Sequence, residues 1–139
     1  MAFGGSVTLK EMGLYPRLSA HNQVVWHWEG GQKEAAVSTD VYISSVNALA
    51  ETGELVNIDG AGNRVASTVY GHQAVYFVVG SNKIVPDYDS ALWRARNIAA
   101  RCYDCKSPDR ICQVLTVLWG KPMTLPLMEV ILVDEALGY

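Results

Sequence analysis

Short apolar runs alternate along the chain with segments whose apolar residues recur at helical spacing. Residues 74–79 form an unbroken apolar run, which is typical of a strand in the middle of a sheet covered on both faces. Apolar residues on either side of the Glu-Thr-Gly-Glu sequence at 51–54 predict a hairpin over residues 48–58. The remaining pattern predicts strands at 1–3, 24–28, 40–44, 114–119 and 128–133, and helices at 7–13, 31–38, 63–70 and 88–100.

Strands that alternate with helices indicate a particular architecture, an α/β layer fold with a mostly parallel sheet. Ser6 and Gly13 are suited to cap and to end the first helix. The chain has 139 residues, of which 50% are hydrophobic, and this suits one domain with its own core. We therefore expect a three-layer α/β sandwich that forms a single domain over residues 1–139.

Four predicted loops combine glycine or small residues with polar side chains. In open α/β sheets, ligands bind beyond the carboxyl ends of the parallel strands, and each of these loops follows a predicted strand. Their convergence at one edge predicts a pocket for a small anionic metabolite. The candidate ligand-binding residues are Gly4, Gly5, Ser6, Asn47, Asp59, Gly60, Gly62, Asn63, Arg64, Asn82 and Lys83.

The loop at 59–64 joins an apolar strand to a helix through a Gly-x-Gly sequence. Amides at a helix start attract anions, which makes the loop a candidate phosphate or carboxylate site. It is not a dinucleotide fingerprint, because Val65 stands where the third glycine belongs. A tight turn with a helix cap is the alternative. For Arg64 two roles stay open: it contacts a ligand, or it bridges Asp59 or Glu54.

Two other loops leave similar alternatives open. Gly4 and Gly5, if both have positive φ, form an anion-binding nest with their successive amides; a simple strand-to-helix turn is the other possibility. Lys83 follows a buried strand and either pairs with a bound anion or is a solvated loop residue.

Charge and composition exclude several classes of protein. The net charge of −3 gives no electrostatic reason to bind nucleic acid. No apolar run approaches membrane-spanning length, and the start lacks the features of a signal peptide. We expect a cytoplasmic location.

The three cysteines lie within eleven residues, a spacing that argues against a secreted disulfide framework. Cys102 and Cys105 have a C-x-x-C spacing, and Cys112 is a third candidate ligand for zinc or an iron–sulfur cluster. A cluster usually needs four ligands, and none of the three histidines has metal-binding spacing. We therefore expect no tightly bound metal or cofactor. His27 is expected to be a partly exposed strand residue.

Several motifs together resemble a known family. They are residues 44–49, 53–66 and 78–85, the cysteine segment 102–112 and the ending 130–139. This combination resembles the LUD domain, the lactate-utilisation family, whose best-known member is the C subunit of the bacterial lactate-utilisation system. The family's fold is similar to that of ribose-5-phosphate isomerase and the CoA transferases, and residues 4–8 resemble the phosphate-binding loop of that superfamily.

The resemblance implies one function and leaves another open. It implies an accessory subunit of an iron–sulfur lactate (2-hydroxy acid) oxidation system, in which partner subunits carry the clusters. The alternative is a domain that binds a phosphorylated or CoA-linked metabolite, or a minor enzyme acting on one. No catalytic residue is assigned, since Glu54 lacks the surroundings of the CoA-transferase nucleophile.

Relative to the family, the chain looks N-terminally shortened, and its cysteine segment lacks the usual upstream cysteine. Any activity that needs the missing parts is in doubt. A missing N-terminal piece would leave a sheet edge or a helix-packing face exposed, and such surfaces are normally covered. We therefore expect a homo-oligomer.

Overall fold

The centre of the protein is a parallel β-sheet. The computed structural model describes residues 1–100 and 112–139. Within them, five strands form this sheet: β1 (Ala2–Phe3), β2 (Val25–Trp26), β3 (Val41–Ser44), β6 (Ala74–Gly80) and β9 (Leu127–Val133). Their order is β2-β1-β3-β6-β9, and every neighbouring pair is parallel. β6 lies inside the sheet, between β3 and β9, which explains its unbroken apolar sequence.

A second sheet contains the remaining described strands. These are β4 (Ala48–Ala50), β5 (Leu55–Asp59), β7 (Ile84–Val85) and β8 (Val114–Leu118), in the order β7-β4-β5-β8. β4 and β5 form the predicted hairpin, and Gly53 in its turn has a φ of 111°. The expectation of one sheet was incomplete, because β5 and β8 pair antiparallel with each other and away from the parallel sheet.

Helices occupy most of the predicted segments. They are α1 (Val7–Glu11), α2 (Leu14–Ser19), α3 (Lys33–Ala36), α4 (Asn63–Val69) and α5 (Tyr88–Arg94), which continues as a π-helical turn over Ala95–Ala99. Ser6 caps α1 as predicted, since its Oγ accepts a hydrogen bond from the Leu9 amide at 3.3 Å. Helix α2 was not predicted; Pro16 fits in its first turn, where no N–H is needed. None of the described helices is long and apolar enough to cross a membrane.

The core lies on both faces of the parallel sheet because successive side chains of β6 point to opposite sides. Val75, Phe77 and Val79 pack towards Leu55 and Leu118 of the second sheet. On the other face, Val78 packs with Leu9 and with partly buried residues of α2. Val69 of α4 also packs on the first of these faces, so helices flank the five-stranded sheet on both sides, and the predicted three-layer α/β sandwich is confirmed.

Candidate functional site

A cavity of about 410 Å³ lies at the carboxyl edge of the parallel sheet, next to the end of β5. Eight candidate residues from the sequence line it: Gly5, Ser6, Asn47, Asp59, Gly60, Asn63, Arg64 and Lys83. Gly4, Gly62 and Asn82 are not among its lining residues. The loop at 59–64 reaches the cavity from the second sheet, so the expected origin of all four loops at one sheet edge was wrong for this loop.

Other lining residues were missed by the sequence analysis. His27 and Trp28 lie just after β2, which ends at Trp26; the predicted strand at 24–28 included both, so the rule that selected the other loops passed over them. His27 begins a 3-10 turn (His27–Glu29), and burial and the nearby charge of Lys33 lower its pKa. Lys33 and Tyr139 also line the cavity, but no local sequence pattern indicates their positions.

The start of helix α4 is capped from within the chain. One carboxylate oxygen of Asp59, Oδ2, accepts hydrogen bonds from the amides of Arg64 at 3.0 Å and Val65 at 3.3 Å. Gly62, with a φ of 82°, allows the chain to turn back onto this carboxylate. The expectation that this helix start offers free amides to an anion was therefore wrong at these two residues.

The guanidinium of Arg64 is held by neutral acceptors. It donates to the side-chain oxygen of Asn57, to Asn47 Oδ1 at 3.2 Å and to the Ile58 carbonyl at 2.7 Å. Burial lowers the pKa of Arg64, and the charge of Asp59 only opposes this effect. Within the described residues no carboxylate forms a salt bridge with the Arg64 guanidinium, so the alternative of a bridge to Asp59 or Glu54 was wrong.

Lys83 is buried, with 4% of its surface exposed. Its Nζ donates to Thr8 Oγ1 at 2.8 Å, to Ser45 Oγ at 3.0 Å and to the Val46 carbonyl at 3.2 Å. Burial lowers its pKa to about 7, and the charges of Arg94 and Arg64 act in the same direction. The alternative of a solvated loop lysine was wrong.

Arg94 of helix α5 brings a third cation to the segment 45–47. Its NH1 donates to the Asn47 carbonyl at 2.5 Å and to the Tyr139 main-chain oxygen at 3.2 Å. Lys83 contacts Val46 and Arg64 contacts the Asn47 side chain, so two buried cations and the partly buried Arg64 meet at residues 45–47. This concentration of positive charge favours an anion in the adjoining cavity.

Two predicted ligand residues that do not line the cavity, Asn82 and Gly4, are constrained by their surroundings, and their contact with a ligand stays a prediction. The side chain of Asn82 accepts from the Leu137 amide and donates to the Gly138 carbonyl, both at 3.1 Å, and so holds the segment after β9. At Gly4 a Cβ atom would lie 2.6 Å from Ser44 Oγ. Neither Gly4 nor Gly5 has a positive φ, so the expected nest of left-handed glycines is not formed.

The cysteine and histidine predictions have different outcomes. Cys102 and Cys105 lie outside the described residues, whereas Cys112 lines the cavity. His72 lies at the opposite edge of the sheet, where its Nδ1 is 2.6 Å from the Thr39 carbonyl oxygen. Across residues 1–100 and 112–139, no three His, Cys, Asp or Glu side chains are grouped to hold a metal ion. The absence of a tightly bound metal stays a prediction.

Comparison with known proteins identifies the family. The LUD domain family matches residues 1–133. The chain belongs to the LUD domain family. A solved structure of a DUF162 family protein from Deinococcus radiodurans is similar in fold, with a TM-score of 0.57 and 15% sequence identity over 96% of this chain and 87% of the other. No curated protein matches the sequence.

Proposed function

We propose that this LUD-domain protein binds a small anionic metabolite, a carboxylate or a phosphate ester, in the cavity. The observation that carries the proposal is the meeting of Lys83, Arg64 and Arg94 at residues 45–47. The hydrogen-bond acceptors found for Lys83 and Arg64 within the described residues are all uncharged; Glu11 and Asp59 act on these two cations only through space. A bound anion would supply the missing negative charge.

Size and hydrogen bonding also support this proposal. The volume of about 410 Å³ falls in the range of roughly 300–1,000 Å³ that is common for small-molecule sites. Arg64 donates three hydrogen bonds within the described part of the chain, and a guanidinium has five N–H groups. The remaining donors suit a carboxylate or phosphate oxygen.

A 2-hydroxy acid such as lactate belongs to this ligand class. Resemblance to the lactate-utilisation family favours an accessory role in an iron–sulfur system that oxidises it, with the clusters on partner subunits. A phosphorylated or CoA-linked metabolite is the alternative ligand. An anaerobic pull-down with the tagged protein distinguishes these two functions. Capture of iron–sulfur oxidoreductase subunits is expected only if the protein is an accessory subunit of the lactate-oxidising system.

A thermal-shift series tests anion binding directly. Phosphate, lactate, pyruvate and CoA are added to the wild type, and a ligand at a hundredfold excess over its Kd adds about 2.7 kcal/mol to the free energy of unfolding. Lys33 lines the cavity but is exposed, so Lys33→Gln should weaken this stabilisation without disturbing the fold. Lys10→Gln is the matched control, since Lys10 is an exposed helical lysine away from the cavity. A wild type that responds to no anion contradicts the proposal.

A further inference from the structure

Lys83 combines three properties that an ordinary anion-binding lysine does not need. Its side chain lines the cavity, it is almost completely buried, and its Nζ contacts only uncharged partners within the described residues. Buried lysines in such surroundings become neutral at moderate pH and then act as nucleophiles. We propose that Lys83 condenses with the carbonyl group of a 2-oxo acid held in the cavity and forms an imine.

The partners of Nζ suit a neutral amine as well as an ammonium. The Thr8 hydroxyl donates to the Leu137 carbonyl at 3.1 Å, so towards Lys83 it acts as an acceptor, as does the Val46 carbonyl. The Ser45 hydroxyl can rotate. It accepts from the ammonium, and after deprotonation it donates to the nitrogen lone pair instead. One rotation of Ser45 therefore satisfies both protonation states, and a second rotation frees the lone pair for attack.

The charges around Lys83 favour the same chemistry. Arg94 and Arg64 lower its pKa, Glu11 opposes them, and burial is the largest cause of the shift to about 7. At pH 7 the fraction of neutral amine is then roughly a thousandfold larger than for an ordinary lysine. Arg64 lines the cavity with Lys83 and can hold the carboxylate of a 2-oxo acid. This step rests on the proposed anion site.

The reaction is balanced without a further reactant. The neutral amine attacks the carbonyl carbon, the C–N bond forms as the C=O π bond breaks, and one N–H proton passes from the nitrogen to the carbonyl oxygen; the second N–H proton leaves with that oxygen. Loss of that oxygen as water then gives the imine. No electron is transferred until a hydride reagent is added in the test, which reduces the imine to a stable secondary amine.

The test is reductive trapping with pyruvate and sodium cyanoborohydride, followed by peptide mass mapping. The adduct adds the mass of pyruvic acid less one oxygen atom. At pH 7 we expect modification of Lys83 to exceed that of Lys33 by more than about tenfold, since a one-unit difference in pKa already changes the neutral fraction tenfold. The yield at Lys83 should rise with pH through about 7. Equal labelling of all lysines, or a rise only near the pKa of an ordinary lysine, overturns the proposal.

Two further measurements separate this inference from the proposed function. Phosphate has no carbonyl group, so stabilisation by phosphate tests the anion site alone. If phosphate or pyruvate stabilises the fold and no adduct appears on Lys83, the imine is excluded and the anion site stands. Ser45→Ala keeps Lys83 and removes its rotating partner, so trapping at Lys83 should slow. Unchanged trapping in Ser45→Ala contradicts the role given to Ser45.

Discussion

The Nζ atom of Lys83 lies 2.8 Å from Oγ1 of Thr8, although 75 positions separate the two residues along the chain. The contact joins helix α1 to the 3-10 turn after β6 (Ser81–Lys83). Because the hydroxyl of Thr8 also donates to the Leu137 carbonyl, three distant segments meet at one buried amine. The stability of the protein should therefore depend on the protonation of Lys83.

We expect the free energy of unfolding to rise with pH between 7 and 9 because of Lys83. Its pKa is about 7 in the folded protein, against 10.5 for an unperturbed lysine. The unfolded chain thus binds the extra proton in this interval, and stability increases by up to about 1.4 kcal/mol per pH unit. In Lys83→Met, the free energy of unfolding measured by urea denaturation should lack this part of its increase with pH. Lys10→Met, which changes an exposed lysine, should keep it; equal slopes in all three proteins would refute the assignment.

Arg64→Lys should destabilise the protein even without a ligand. A lysine cannot reach Asn57, Asn47 and the Ile58 carbonyl together, as the forked guanidinium does. Hydrogen bonds to charged groups contribute about 1.5–3 kcal/mol each, so a loss of at least about 2 kcal/mol is expected in urea denaturation. Arg17→Lys on the exposed side of α2 is the control and should change little. A loss no larger than that of the control would show that the Arg64 network is not stabilising.

Asp59→Asn should strengthen phosphate binding. The asparagine oxygen still accepts from the Arg64 and Val65 amides, while the negative charge beside the cavity is removed. Removing a nearby like charge is worth on the order of 1 kcal/mol, or about fivefold in Kd. Calorimetric titration with phosphate measures the change.

Asp87→Asn is the matched control for that experiment. Asp87 caps helix α5 through a 2.8 Å contact to the Ser90 amide and does not line the cavity. The exchange of carboxylate for amide is the same, so its Kd for phosphate should equal that of the wild type. A similar gain in phosphate affinity in both variants would show a general effect of net charge and would contradict a specific effect of Asp59.

Gly4→Ala should be destabilising because of Ser44. The added Cβ would lie 2.6 Å from Ser44 Oγ and 2.8 Å from the Tyr42 hydroxyl, and such overpacking costs about 1–3 kcal/mol. Ser44 Oγ is buried and has no hydrogen-bond partner among the described residues, so Ser44→Ala alone should be nearly neutral. In the Ser44→Ala background the cost of Gly4→Ala should fall. Gly120→Ala, with open space around it, is the control.

Strand β9 leads us to expect a dimer. One edge of β9 pairs with β6, and no described strand pairs with the opposite edge of β9. Ile131 and Leu132 are 45% and 59% exposed, and Glu129 is the only charged residue of the strand. An apolar edge of this kind pairs readily with another strand, and a second copy of β9 can do so about a two-fold axis.

Light scattering at micromolar concentration checks the dimer. Ile131→Lys should give a monomer, because it places a charge at the paired edge. Val37→Lys is the control; Val37 is 63% exposed at the end of α3, away from β9, and its change should leave the mass unchanged. A wild type that is monomeric under these conditions contradicts the expected association.

Local sequence pattern was sufficient for much of the fold. The apolar run at β6, the hairpin at β4 and β5 and the cap at Ser6 each depend on a few neighbouring residues, and each is present as predicted. The pattern did not separate the two sheets, because a short apolar strand shows the same kind of hydrophobic pattern in either sheet. Only the pairing of β5 with β8 shows that these two strands belong to the second sheet.

By itself, the sequence determined which loops carry glycines, amides and charges, and most of these do line one cavity. Tertiary structure alone decided what the charged side chains do there. The pKa of Lys83 depends on burial and on Arg94 and Arg64, and the amides of α4 are taken by Asp59. Desolvation and charge interactions act through space between segments far apart in the chain, so no local pattern specifies them.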